Sequence, residues 1–120
     1  MYRKLSMNTS YFGSPKLLKV NNKLISISKQ PPNWFHSPHE IYKPLCPSWQ
    51  LVSSYKVGEI SKEEYTKYYN EFLDNLDPAR TYQELGEDSI LLCWEKTGFC
   101  HRFIVADWFL KHLKIEVKEL

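Results

Sequence analysis

The residues best suited to chemistry lie together in one short segment of the chain. Glu95 and Lys96 precede a glycine-containing turn, and Cys100, His101 and Arg102 follow it. A carboxylate, a thiol, an imidazole and a guanidinium at this spacing supply acid–base groups, a nucleophile and an anion-binding group. We therefore predict a site here, with Cys100, His101 and Glu95 as its catalytic residues.

Cys100 lies at the predicted start of a helix, and this position bears on its reactivity. A helix N-terminus carries roughly half a positive charge, which lowers a thiol pKa from about 8.5 towards neutrality when cations are also close. One alternative is therefore thiol-dependent chemistry at Cys100, with Cys93 or Cys46 as the resolving thiol. The other is an inert Cys100 that packs the loop against the sheet, since free cysteines are commonly buried.

Arg102 is predicted to bind an anion together with the free amides of the same helix end, because a guanidinium matches phosphate and carboxylate geometry. Lys96 is predicted to assist it, and Glu95 is suited to orienting a ribose hydroxyl. The structural alternative for Arg102 is that it holds Glu95 or a loop carbonyl in place. The structural alternative for His101 is that it caps the helix or makes its hydrogen bonds within the core.

Metal and cofactor binding are not predicted from the spacing of the ligand-type residues. No close pair of them has the spacing of a zinc ribbon or finger, although one set is formally available: Cys93, Cys100 and His101 with Cys46, His36 or His39. Three cysteines do not make a disulfide framework, so we expect reduced thiols. The chain also lacks a phosphate-binding glycine loop and a dinucleotide fingerprint.

The elements around this segment predict an α/β fold. Residues 89–95 form an unalternated apolar run, typical of a strand that is buried on both faces of a parallel sheet, and residues 100–113 read as the next helix. Ligands in open α/β sheets bind beyond the carboxyl ends of strands. We predict a small Rossmann-like three-layer domain, with a mostly parallel sheet of about four strands and helices on both faces. The other predicted strands cover residues 1–9, 24–28 and 115–119, and the other helices cover residues 15–18, 61–76 and 78–86.

Residues 29–49 hold five of the seven prolines, which predicts an irregular loop with a short helix starting near Pro47. Such a loop is often a binding segment. We predict that Trp34 and Trp49 from this loop, with Tyr11 from the end of the first strand, stack on a ligand. The alternative is a loop whose aromatic side chains only cover one end of the core.

The overall composition limits the classes of partner. A length of 120 residues predicts one domain over residues 1–120. A formal net charge of +2 is too small to indicate a nucleic-acid partner, so we do not expect one. No apolar run approaches the roughly 18 residues of a membrane helix, so we expect a soluble, cytoplasmic protein. The wide apolar arc of residues 100–113 predicts either deep packing or a homodimer contact.

The chain resembles the family catalogued as domain of unknown function 488. The resemblance is specific in residues 91–96, Leu-Leu-Cys-Trp-Glu-Lys, and residues 99–102, Phe-Cys-His-Arg, followed by an apolar helix. It implies a Rossmann-like parallel sheet but no defined reaction. Many family members carry Asp-Val-Arg after an early strand, whereas residues 24–29 lack it. The signature positions that carry over are Cys93, Glu95, Lys96, Cys100, His101 and Arg102.

These observations predict a protein that binds a small anionic ligand, of nucleotide or nucleoside type, at the junction of residues 95–102. Hydrolase or transferase activity on that ligand is the predicted reaction class if the protein is an enzyme. The alternatives are a non-catalytic module that sequesters a ligand or binds a protein partner, and the thiol chemistry at Cys100.

Overall fold

The computed structural model describes residues 6–120, which contain a five-stranded sheet in which every pair of neighbouring strands is parallel. The strands are β1 (Asn8–Tyr11), β2 (Lys23–Ser26), β3 (Glu40–Ile41), β4 (Ser89–Cys93) and β5 (Lys118–Glu119). Their order across the sheet is β3-β2-β4-β1-β5. The predicted first strand over residues 1–9 is described only from residue 6, so its beginning lies outside the described residues.

Four α-helices flank β4 in the chain. Three lie between β3 and β4, α1 (Trp49–Lys56), α2 (Lys62–Leu73) and α3 (Pro78–Leu85), and α4 (His101–Leu113) lies between β4 and β5. Their starts follow local signals. Ser61 and Glu64 form the predicted capping box of α2, each side chain bonding the other residue's amide. Asp77 caps α3 ahead of a proline, and α3 ends at Gly86, whose φ of 90° suits glycine. Two short 3₁₀ helices span Pro15–Lys19 and Lys43–Leu45.

β4 lies at the centre of the sheet and is buried at all five positions, as its unalternated apolar sequence predicts. Leu91 and Cys93 pack on the face covered by the α-helices. Ile90 and Leu92 pack on the opposite face, against Leu17 of the first 3₁₀ helix. The predicted α/β fold with a parallel sheet is confirmed.

The structure adds detail in the proline-rich segment. β3 lies within residues 29–49, which the sequence predicts to be irregular, so the sheet has five strands where about four were expected. β3 has only two residues, both exposed, and therefore shows no hydrophobic alternation. Within residues 6–120 no helix is both long and apolar enough to cross a membrane.

The fold brings the ends of two adjacent strands to one edge of the sheet. β2 and β4 are hydrogen-bonded neighbours, and the amide of Ile27, just after β2, donates to the carbonyl of Leu92. The chain then leaves β4 after Cys93, turns at Gly98 with a φ of 79°, and starts α4 at His101. The residues predicted to do chemistry thus occupy the strand, loop and helix junction that the sequence indicates.

Candidate functional site

A cleft of about 740 Å³ opens beside this junction. The segment after β2, the loop after β4, the start of α4, helix α1 and one residue of α2 contribute to it. Its volume is in the range of small-molecule sites, roughly 300–1,000 Å³. The residues lining it are Ser28, Lys29, Gln30, Pro47, Trp49, Val52, Tyr55, Lys56, Tyr65, Trp94, Glu95, Thr97, Phe99, Cys100 and His101.

Three aromatic rings form one packed wall of the cleft. The ring centroid of Phe99 lies 5.2 Å from those of Tyr55 and Tyr65, and the two tyrosine rings are 5.5 Å apart. Such edge and tilted contacts hold aromatic groups in fixed orientations. Burial raises the pKa of the Tyr65 phenol, so it stays protonated at neutral pH.

Two tryptophans give the cleft large accessible aromatic faces. Trp49 is 71% exposed at the first turn of α1, and Trp94 is 51% exposed directly after β4. The indole N–H of Trp94 donates to the carbonyl of Gln30 at 3.0 Å, and its ring contacts Phe12 edge-on. Trp94 is therefore held in place while about half of its surface remains exposed.

Charged groups lie on the exposed side of the same cleft. Lys29 follows β2 and Lys56 ends α1, and both are exposed lining residues. The carboxylate of Glu95 also lines the cleft and is exposed. The cleft thus combines aromatic surface with two lysines and one carboxylate.

His101 lies at the floor of the cleft with both ring nitrogens directed at protein atoms. Nε2 lies 2.7 Å from the carbonyl oxygen of Ile27, and Nδ1 lies 3.9 Å from Sγ of Cys100. A carbonyl only accepts hydrogen bonds, so Nε2 carries the proton and Nδ1 keeps a free lone pair. Burial lowers the pKa of His101 to about 4, which keeps the ring neutral at neutral pH.

The sulfur atoms of Cys93 and Cys100 lie beside this histidine. The two sulfurs are bonded to each other, where the sequence predicts reduced thiols, although their Cα atoms are 7.2 Å apart. Cys46 is the free cysteine and is buried elsewhere. One ligand-type atom each from Cys93, Cys100 and His101 falls within 4.8 Å of the others, and all three residues are buried.

Arg102 does not line the cleft. It is fully buried, and its guanidinium makes a two-pronged ion pair with Glu119, at 3.1 Å and 2.9 Å. The same group donates to the carbonyls of Glu95 and Lys96 and to Sγ of Cys93. The N–H groups of the guanidinium are therefore hydrogen-bonded inside the protein. These contacts match the structural alternative of an arginine that holds loop carbonyls in place.

The structure brings together some of the sequence-predicted site residues and separates others. Cys100, His101, Glu95 and Trp49 line the cleft. Four others are not among its lining residues: Lys96, Arg102, Tyr11 and Trp34. The rings of Tyr11 and Trp34 instead lie beside Gly13, where an added Cβ would meet them at 3.8 Å and 3.7 Å.

Several lining residues were not predicted from the sequence. Tyr65 belongs to a stripe of apolar side chains on α2, a pattern that favours core packing over ligand stacking. Lys29 and Lys56 belong to no sequence motif that indicates a site, and only the tertiary fold places them at one cleft. Trp94, next to the predicted Glu95, carried a usable signal, because an aromatic residue at the end of a buried strand projects towards the site.

Comparison with known proteins identifies one family. The model of DUF488-N3a, described as the active DUF488-N3 subclade, matches residues 16–113. This match covers most of the chain and includes the whole loop between β4 and α4. No curated protein and no solved structure matches the chain.

Proposed function

The chain belongs to the DUF488 family, and we propose that this member binds a small anionic ligand of nucleotide or nucleoside type in the aromatic cleft. The observation that carries this proposal is that two exposed tryptophans, Trp49 and Trp94, line one cleft of about 740 Å³ together with two lysines. Flat aromatic bases stack on such surfaces, and cationic groups attract phosphate.

Each group has a role in this proposal that follows from its position. Trp94, fixed by Gln30, provides the stacking platform, and Trp49 covers the ligand from the first turn of α1. Lys29 and Lys56 replace Arg102 as the anion-binding groups, because the donors of Arg102 are engaged internally. Glu95 accepts hydrogen bonds from ligand hydroxyls.

The matched subclade is described as active, which supports a reaction on the ligand rather than sequestration alone. Hydrolysis or group transfer is the class that we propose. Incubation of the protein with each nucleotide that it binds, followed by chromatography, distinguishes the two functions. Conversion of the ligand supports catalysis, and an unchanged ligand after long incubation supports sequestration.

The binding proposal predicts that nucleotides raise the melting temperature and that Trp49→Ala weakens their binding. Loss of one base-stacking ring costs about 1–3 kcal/mol, which corresponds to roughly 5- to 150-fold in Kd. The measurements are thermal shift with a panel of nucleoside mono-, di- and triphosphates and the free nucleosides, then calorimetric titration of the strongest binder.

Trp34→Ala is the matched control, because Trp34 is also a half-exposed tryptophan but does not line the cleft. It should leave the affinity unchanged. Lys56→Ala should weaken the binding of nucleoside phosphates more than the binding of the corresponding nucleosides. The proposal fails if no member of the panel shifts the melting temperature, or if both tryptophan variants lose affinity equally.

A further inference from the structure

We propose that Cys93, Cys100 and His101 form a zinc site whose fourth coordination position opens into the cleft. This inference rests on the three side chains themselves and does not depend on which ligand the cleft binds. It concerns residues that lie inside the matched range, 16–113, but to which the match assigns no role.

One distance between ligand atoms is already close to that of a tetrahedral site, and the two sulfurs, which are bonded to each other, separate when the bond is reduced. Zinc binds cysteine sulfur at about 2.3 Å and histidine nitrogen at about 2.0–2.1 Å, so adjacent sulfur and nitrogen ligands are separated by roughly 3.6 Å. Sγ of Cys100 lies 3.9 Å from Nδ1 of His101. Nδ1 has the free lone pair that a metal requires, because Nε2 donates to Ile27.

The hydrogen bonds around the cluster are those that support metal ligands. A metal-bound histidine usually donates its other ring N–H to a carbonyl or carboxylate, which fixes the orientation of the ring. The contact of His101 with the Ile27 carbonyl at 2.7 Å has this form. Nη1 of Arg102 lies 3.4 Å from Sγ of Cys93 and donates to it, which stabilises a thiolate there.

The backbone spacing of the two cysteines also favours a shared ion. Disulfides usually join Cα atoms about 4.4–6.8 Å apart, and bridging over more than roughly 7 Å requires backbone movement. The Cα atoms of Cys93 and Cys100 are 7.2 Å apart. With an ion between them the sulfurs separate to roughly 3.8 Å, which accommodates the longer backbone spacing.

The chemistry of the ligand set indicates zinc and an open position. Two thiolates and one imidazole are soft and borderline donors that suit zinc, and three protein ligands are typical of catalytic zinc sites. Cys100 and His101 both line the cleft, so the fourth position faces it. A phosphine or a pair of low-molecular-weight thiols first reduces the Cys93–Cys100 bond to two thiols and is itself oxidised, to the phosphine oxide or to a disulfide. When zinc binds, the two thiols release their protons to solvent, and the ion takes a water or a ligand atom from the cleft as its fourth ligand.

Cobalt titration of the full chain tests this site. Metal-free protein, reduced with a phosphine under anaerobic conditions and without nucleotide, should bind one equivalent of Co²⁺ with thiolate-to-cobalt charge-transfer absorption, and Zn²⁺ should displace it. Cys93→Ser, Cys100→Ser and His101→Asn should each lower the affinity by more than the roughly 10- to 100-fold that loss of an outer hydrogen-bond partner costs.

Cys46→Ser is the matched control, because Cys46 is also a buried cysteine but lies outside the cluster. It should keep full cobalt binding, as should Trp49→Ala, which tests the cleft alone. A readout on the unmutated chain guards against variants that fail to fold: Zn²⁺ should protect Cys93 and Cys100 from alkylation. The proposal is overturned if the reduced chain shows no charge-transfer band, or if zinc gives no protection.

Discussion

Cys46 shows how strongly the surroundings of a thiol decide its chemistry in this protein. It is 3% exposed, and its S–H donates to the carbonyl of Tyr42 at 3.4 Å. Burial raises the pKa of Cys46 from 9.0 to about 11, against the opposing effect of Lys29 and Lys43. This thiol is therefore a poor nucleophile, and it is a weak candidate for the resolving role that the sequence leaves open.

This shift predicts slow alkylation of native Cys46. At pH 8 about one molecule in a thousand carries the thiolate at a pKa of 11, compared with about one in ten at a pKa of 9. Iodoacetamide should therefore label Cys46 at least about 100-fold more slowly in the native protein than in urea, as followed by peptide mass spectrometry. A native rate within about threefold of the unfolded rate contradicts the assignment.

The same shift fixes the sign of the pH dependence of stability. Above pH 9 the unfolded chain loses the Cys46 proton while the native chain retains it, so this group lowers the free energy of unfolding as the pH rises from about 9 to 11. The Cys46→Ser variant should lack that part of the alkaline destabilisation, which urea titrations across this pH range measure.

At the scale of elements, the buried ion pair of Arg102 and Glu119 joins the start of α4 to the edge strand β5. Glu119 also accepts a hydrogen bond from Thr9 of β1 at 2.6 Å. The Glu119 carboxylate of β5 therefore connects α4 with β1 and β5. This arrangement predicts that Arg102 acts through stability and not through ligand contact.

Removal of this carboxylate by Glu119→Gln should leave the Arg102 charge only partly compensated. Breaking a fully buried pair costs about 3–5 kcal/mol, and since the Glu119 side chain is 35% exposed we expect about 2 kcal/mol. Urea denaturation measures the loss. Glu116→Gln, on an exposed residue of the same segment, should change the stability by less than about 0.5 kcal/mol. Equal effects of the two variants would show that the ion pair contributes nothing.

Elements with local signals were predictable, and elements without them were not. Ser61 and Asp77 start helices through side chains that accept hydrogen bonds from amides three residues away, so the sequence shows these helix starts directly. β3 depends on pairing with β2 and has no pattern of its own. Arg102 is in α4 and its partner Glu119 lies seventeen residues away in β5, so local spacing predicted the anion-binding role instead. Cys93 and Cys100 likewise meet only through the turn at Gly98.

At the scale of the whole molecule, the cleft follows from the order of the strands. β4 has β2 on one side and β1 on the other, so the segments that leave β2 and β4 emerge side by side. Helix α1, with no buried residue of its own, lies across this end and supplies Trp49, Tyr55 and Lys56. The cleft thus lies between the end of the most buried strand and the least buried helix, and this difference in burial predicts that α1 opens more readily than β4.

This contrast predicts a gradient of stability across the sheet that amide hydrogen exchange measures. The β4 amides are buried between two strands and should exchange only through global unfolding, with opening free energies equal to that from denaturation. The amide of Tyr42 donates to the carbonyl of Ser26 beside the two-residue strand β3, and its local opening should cost several kcal/mol less.

A bound nucleotide should protect the amides of α1 from exchange and leave those of β5 unchanged, because α1 lines the cleft and β5 does not. If α1 already opens only with β4 in the free protein, the cleft is rigid, and ligand affinity then depends on its preformed shape rather than on closure of this helix.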